Sequence, residues 1–328
     1  MVSAALVSVI ITTRNRRHVV GRALDSVLRQ SYEPKEILVA DDASSDGTGS
    51  FVRECYPGVR LLTFEKNLGL VEARNCLMKQ ARGQYIVSLD DDAWFAGADA
   101  ISLAVTRMER ECAIAVATFR VIPPGGVKIV SRFAERYVHV FNGGAHCLRR
   151  SVLETVGFYE GHFFRQGEET VLAMRLLGAG YRIIYMASVV VVHDPVHSEE
   201  DRRKILAYQF RNTLQRAWLV EPLPWPVMTI AGSMASFLVL AIRRRSVSSY
   251  LLGLKMALRD IPKIPRHRAP VSAEAISLFL LLRSMEITEE PQVSRLYRDH
   301  GGTLKAIASL LARKVRSRRM NLREGGGE

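Results

Sequence analysis

The chain has 328 residues, enough for one large core or two smaller domains. With 48% hydrophobic and 24% charged residues it is not a disordered, collagen-like or disulfide-stapled chain. The net charge of +13 is uneven: residues 1–201 carry 23 Lys and Arg against 24 Asp and Glu, and residues 202–328 carry 23 against 9.

Residues 6–13 (LVSVIITT) form a β-branched apolar run, which predicts a strand covered on both faces. Apolar residues precede basic ones here, the reverse of a signal peptide. Helical spacing of Val20, Leu24, Val27 and Leu28 predicts a helix over 17–30. EILVAD at 36–41 reads as a second buried strand, and the turn cluster DDASSDGT leads to a helix near 46–55. A strand at 59–64, a helix at 69–81 and a strand at 84–89 follow. Strands alternating with helices predict an α/β fold with a parallel sheet, whose ligands bind at the carboxyl ends of the strands. Asp41-Asp42 and Asp90-Asp91-Asp92 both fall at such ends.

Past residue 98 the pattern predicts a helix near 98–111, strands at 113–121, 127–132 and within 142–150, a helix near 168–179, and two further strands, GYRIIY and SVVVVH. Beyond 202 the chain reads as helical. The apolar stretch 223–242 runs into Arg243-Arg244-Arg245 and lies near the ~17–20 residues a membrane span needs. A span, an interfacial helix and a buried soluble helix all fit it. Further helices are expected at 250–259 and 272–284, and a basic, Gly-rich disordered tail at 313–328. The basic half points to an anionic partner, membrane lipid or nucleic acid, or to a solvated helical surface. It carries no nucleic-acid-binding motif and no interleaved aromatics, so no nucleic-acid partner is expected. Cys55, Cys76, Cys112 and Cys147 form no C-x-x-C pair, as in a reduced, cytoplasmic protein.

Three adjacent carboxylates at 90–92 repel one another unless solvated or neutralised. That favours a Mg2+ or Mn2+ site holding a diphosphate, with an exposed acidic turn as the alternative. Asp42 can accept a hydrogen bond from a base N–H or a ribose hydroxyl. The turn after the first strand, TTRNRRH, has no glycine, so neither G-x-G-x-x-G nor a P-loop is present and phosphate must be held otherwise. At 168–179 the apolar face of Leu172, Ala173, Leu176 and Leu177 includes Glu169 at the helix start, where the dipole would keep it ionised as a general base. Glu168 is an equally good helix-cap carboxylate.

VSVIITTRNR, DDASSDGT, NLGLVEARN, SLDDDAWF and GEETVLAMRL, in this order over residues 5–195, resemble the family-2 glycosyltransferases. The resemblance implies the GT-A fold, a Rossmann-like, mostly parallel mixed sheet flanked by helices, here with a C-terminal helical extension. The expected organisation is a catalytic domain at 1–201, a basic helical extension at 202–312 and a tail at 313–328. It further implies that Thr12, Thr13 and Arg14 meet the nucleotide, that Asp42 bonds the base, and that Arg74 and Asn75 support the nucleotide side. Asp90, Asp91 and Asp92 match the Asp-x-Asp motif, with Asp92 as direct metal ligand, Asp90 or Asp91 towards ribose and metal-bound water, and Glu169 as catalytic base. Many members carry Glu-Asp at 168–169 and an Asp two residues on; this chain has Glu-Glu and Val171, so Glu168 stays a rival. His193 sits where relatives place a histidine near the metal or diphosphate, and Arg211-Asn212 resembles an Arg-Asn pair facing the diphosphate.

The implied activity is inverting transfer of a sugar from a nucleotide-diphosphate donor to a saccharide or lipid-linked hydroxyl. It would serve cell-surface polysaccharide or glycolipid synthesis at the inner face of the membrane. A non-catalytic nucleotide-sugar or membrane-binding module, and a sugar nucleotidyltransferase, are the alternatives.

Overall fold

The structure is a computed structural model that describes residues 4–126, 135–195, 199–261 and 268–284. Its first half follows the apolar pattern. β1 (Val7–Thr13), α1 (Val20–Leu28), β2 (Lys35–Asp41), α2 (Thr48–Cys55), β3 (Arg60–Thr63), α3 (Leu70–Gln80) and β4 (Tyr85–Asp90) alternate as expected. β1 is buried at every position, which explains its unbroken run of apolar and small residues.

The second half completes the sheet with β5 (Ala93–Phe95), α4 (Ala100–Glu109), β6 (Ile114–Ile122), β7 (Arg136–Tyr137), β8 (Ala145–Arg149), α5 (Val152–Val156), a 3-10 turn at Gly161–Phe163, α6 (Glu168–Gly178) and β9 (Arg182–His193). The expected strand near 127–132 lies outside the described residues. The two strands expected at GYRIIY and SVVVVH are one strand, β9. Its pairing with β6 shifts register between Phe119 and Arg120, skipping residues 187–189, and that irregularity interrupts the sequence pattern.

The nine-stranded sheet has the order β3-β2-β1-β4-β8-β6-β9-β5, with β7 on β9. The pairs among β1, β2, β3 and β4 are parallel, as is β6 with β9; β8 runs antiparallel between β4 and β6. This is the mostly parallel mixed sheet anticipated. Its register places Thr13 beside Asp41 and Thr12 beside Asp90, so three strands end together at one rim.

The C-terminal part is helical: α7 (Glu199–Val220), α8 (Trp225–Arg243), α9 (Val247–Asp260) and α10 (Ala273–Ser284). Residues 201 and 202 fall inside the first turn of α7. Leu219 and Val220 of α7 and Ile276, Phe279 and Leu282 of α10 join the main core, while Phe210, Leu214, Ala241, Tyr250 and Ala257 form a second cluster between α7, α8 and α9. α8 is long and apolar enough to cross a membrane, and only 11% of its most apolar window is buried. Most of α8 is therefore not buried within this chain. The expected tail at 313–328 lies outside the described residues.

Candidate active site

The rim formed by β1, β2 and β4 gathers the acidic clusters. Asp42 follows β2, and its backbone N–H bonds the Thr13 carbonyl at 2.9 Å. Its carboxylate accepts the Leu68 N–H at 2.6 Å and the Gly69 N–H at 2.9 Å, so the start of α3 holds it in place. Gly69 has φ +89°, and a Cβ there would come within 2.4 Å of the Phe164 ring, so no other residue fits. The loops after β1 and β2 are stitched together: the Asn15 N–H donates to Ser44 Oγ at 2.9 Å, the Ser45 N–H to Asn15 Oδ1 at 2.8 Å, and the Arg16 N–H to Thr48 Oγ1 at 2.9 Å. Thr12 and Thr13 are buried at the rim, and Arg14 is exposed beside them. The Thr12 hydroxyl has no protein partner.

At the end of β4, Asp90, Asp92 and His193 present ligand atoms all within 4.8 Å of one another. His193, the last residue of β9, pairs with Ala93 of β5, which brings its Nε2 to 3.0 Å from Asp92 Oδ1. The bond to Asp92 raises the His193 pKa above the ordinary imidazole value. Two carboxylates and an imidazole that converge in this way suit a divalent cation. Asp91 points elsewhere, towards Thr13, and burial pushes its carboxyl up to about 7.

Arg74 links this cluster to α6. Its guanidinium is 2% exposed and donates to Asp90 Oδ1 at 2.9 Å and to Glu168 Oε1 at 3.3 Å. Glu168 is 1% exposed, and its second carboxylate oxygen has no protein partner. It is the more deeply buried of the two glutamates. Glu169, expected on the inward face, is half-buried beside Gly143. A Cβ on Gly143 would sit 2.4 Å from Glu169 Oε1 and 2.9 Å from Arg74 Nη1, and one on Gly144 would sit 1.9 Å from Asp90 Oδ2. A side chain at either glycine would therefore displace a carboxylate of the site. Burial raises the pKa of Glu168 and of Glu169, so here desolvation outweighs the helix N-terminus that was expected to keep Glu169 ionised.

Two expected residues serve elsewhere. Asn75, 3% exposed, fastens the segment before α6, with Nδ2 3.0 Å from the Tyr159 carbonyl and Oδ1 3.2 Å from the Tyr159 N–H. Arg211, expected to face the diphosphate, is buried and spends its donors on Asp260 and on the His162 and Phe163 carbonyls. Sequence reasoning missed the Leu68 and Gly69 amides that hold Asp42, although NLGL carried the signal. It also missed His146 and Tyr159, which lie buried near Arg74 with Nε2 and Oη 3.4 Å apart.

Residues 8–164 match the family model described as Glycosyl transferase family 2. The chain is 43% identical over 93 residues to the UDP-Glc:alpha-D-GlcNAc-diphosphoundecaprenol beta-1,3-glucosyltransferase WfgD of Escherichia coli, covering 28% of this chain and 37% of the relative. It thus spans little more than a third of that protein's length. The N-acetylglucosaminyl-diphospho-decaprenol L-rhamnosyltransferase of Mycobacterium tuberculosis is 28% identical, over 65% of this chain and 85% of the relative. Among solved structures, the mannosyltransferase PcManGT from Pyrobaculum calidifontis in complex with GDP-Man and Mn2+ superposes with a TM-score of 0.54. It is 20% identical and covers 96% of this chain and 87% of that one. At that identity the likeness speaks for the fold, which is of the GT-A type.

Proposed function

Since the chain belongs to glycosyl transferase family 2, we propose that it transfers a sugar, with inversion, from a nucleoside-diphosphate donor to an acceptor hydroxyl. The observation that carries this reading is the convergence of Asp90, Asp92 and His193 at the rim, tied through Arg74 to the α6 glutamates. Asp92, Asp90 and His193 would hold Mg2+ or Mn2+, which supplies charge neutralisation to the diphosphate leaving group. The remaining steps belong to the chain's own side chains. Asp42, fixed by two amides, accepts a hydrogen bond from the base. The unpartnered Thr12 hydroxyl, with Thr13 and Arg14, faces the nucleotide. Arg74 neutralises and orients Asp90 and Glu168.

Glu169 is the general base. It stands beside a glycine and is more open to solvent than Glu168, so an acceptor hydroxyl can reach it. Glu168, 1% exposed against Arg74, is closed to an acceptor. The names of the relatives in Escherichia coli and Mycobacterium tuberculosis favour a lipid-linked saccharide diphosphate as acceptor, in polysaccharide or glycolipid synthesis.

The C-terminal helices support a position at the cytoplasmic face of the membrane. Val227, Met228, Val239 and Ile242 of α8 are exposed by half or more, and Arg243, Arg244 and Arg245 follow directly. An apolar face ending in three arginines suits an anionic bilayer surface. Residues 1–201 are then the catalytic part and 202–312 the membrane-facing extension.

The test is a panel of nucleotide sugars with Mn2+, offered with a diphospholipid-linked N-acetylglucosamine acceptor. One donor should raise the melting temperature and be consumed with release of its nucleoside diphosphate. A chain that binds no nucleotide sugar with or without Mn2+ contradicts the reading.

A further inference from the structure

The loop at residues 161–167, which leads into α6, has an expensive conformation. Phe164 has φ 64°, Gln166 has φ 72° and Gly167 has φ 84°. Two of these are non-glycine residues in a region that L side chains avoid, so surrounding contacts must hold them there. Those contacts come from the C-terminal helices. On α7, Arg211 donates to the carbonyls of His162 at 3.0 Å and Phe163 at 3.2 Å. The two N–H groups of its neighbour Asn212 are surrounded by the carbonyls of Phe163, Arg165 and Gln166, 3.3, 2.8 and 2.5 Å from Nδ2. Arg211 is itself fixed by Asp260, the last residue of α9, at 2.5 and 3.0 Å. All three side chains are buried.

The held loop touches both halves of the site. Its last residue, Gly167, is the N-cap of α6, immediately before Glu168 and Glu169. The Phe164 carbonyl accepts the Val71 N–H at 3.2 Å, and its ring covers Gly69, whose amide holds Asp42. On its other side that ring stacks on Tyr208 of α7, with centroids 5.5 Å apart.

We propose that Arg211, Asn212 and Asp260 form a clasp by which the C-terminal helices position the base-bearing end of α6, so that the catalytic site is complete only when α7 and α9 are docked. The inference rests on the glycosyltransferase reading for its catalytic consequence. These are positioning residues: their donors end on backbone carbonyls, and a small displacement of a catalytic group lowers turnover far more than it lowers ligand affinity.

The full-length Asn212→Asp variant keeps the side-chain shape but replaces the donor with an acceptor facing three carbonyls. Asp260→Asn, which weakens the other end, is the second variant. Three readouts are compared with the wild-type chain: amide hydrogen exchange of peptides spanning 161–170, titration with UDP and Mn2+, and turnover of the nucleotide sugar found in the donor panel. Both variants should show faster exchange in 161–170 with unchanged exchange in the β1 and β4 peptides. The kcat should fall at least tenfold, while the UDP–Mn2+ dissociation constant changes less than threefold. Unchanged loop exchange in both variants overturns the proposal, as does a loosened loop with full turnover or equal losses in kcat and nucleotide affinity. A wild-type chain that turns over no donor sinks the functional reading instead, and loop exchange still reports on the clasp.

Discussion

Glu168 and Glu169 are neighbours in sequence with different surroundings, so exchanging each for glutamine separates two roles. Glu168 is 1% exposed and bonded to Arg74 at 3.3 Å; glutamine keeps an acceptor oxygen for that bond. Turnover of Glu168→Gln should fall less than about tenfold, because the group is sealed from the acceptor and the amide oxygen can keep the bond to Arg74. Glu169 stands at Gly143 with its carboxylate against the loop, and glutamine there cannot accept the acceptor's proton. A positioned base contributes ~10²–10⁴-fold, so kcat of Glu169→Gln should fall by that factor, equal to ~3–5 kcal/mol of barrier. Donor binding should be retained. Burial raises the Glu169 pKa above the usual glutamate value, and the base works only when ionised. The acid limb of the wild-type pH–rate profile should therefore lie above the ordinary carboxylate range, with activity rising as pH increases through it. The assay is steady-state transfer with saturating donor and acceptor, alongside calorimetric donor binding. Full turnover in Glu169→Gln, with a loss of a hundredfold or more in Glu168→Gln, would refute this assignment and make Glu168 the base.

Three further outcomes follow from named contacts. Gly144→Ala would put a Cβ 1.9 Å from Asp90 Oδ2, and Arg74 prevents Asp90 from yielding freely. Mn2+-dependent nucleotide affinity should drop by about tenfold, ~1.4 kcal/mol, and an unchanged calorimetric isotherm would contradict this. His146 is buried, and burial beside Arg74 holds its pKa down to about 3. The unfolded chain therefore takes up this proton first as pH drops below ~6.5, and stability is lost between there and the folded value at up to ~1.4 kcal/mol per pH unit. Urea melts of His146→Asn should show a shallower acid slope than wild type; parallel curves would remove His146 as the cause. On α8, replacing Val227, Met228, Val239 and Ile242 with serine should strongly reduce co-sedimentation with phosphatidylglycerol vesicles. Replacing Arg243, Arg244 and Arg245 with alanine should weaken binding mainly at low salt. Undiminished sedimentation of both variants would show that α8 is not the contact.

The strands that build the rim were legible because burial on both faces leaves a continuous apolar signature, as in VSVIITT, EILVAD and YIVSLD. Their carboxyl ends then marked Asp42 and Asp90–Asp92 as candidate site carboxylates. Longer-range facts left no local trace. Nothing in the spacing says that β8 inserts antiparallel between β4 and β6, which brings Gly143 and Gly144 against Glu169 and Asp90. The pairing of Arg74 with Glu168 joins residues 94 apart, and that of Arg211 with Asp260 joins residues 49 apart. Helical periodicity also suggested Glu169 as the inward carboxylate. Val171, Leu172, Ala173 and Met174 are all buried, so α6 is covered on most sides and its periodicity could not tell Glu168 from Glu169. Short elements such as α5 and the 3-10 turn at 161–163 lack the length for a periodic signal.

In the proposed mechanism Asp90, Asp92 and His193 form one divalent-cation site that works with a nucleoside diphosphate. Electron paramagnetic resonance of Mn2+, titrated with and without UDP or GDP, tests it most directly. The wild-type chain should bind one Mn2+ ion more tightly when the diphosphate is present, and Asp92→Asn should weaken that binding at least tenfold without unfolding. Equal Mn2+ binding by the wild type and Asp92→Asn, indifferent to nucleotide, would mean that these residues hold no such ion.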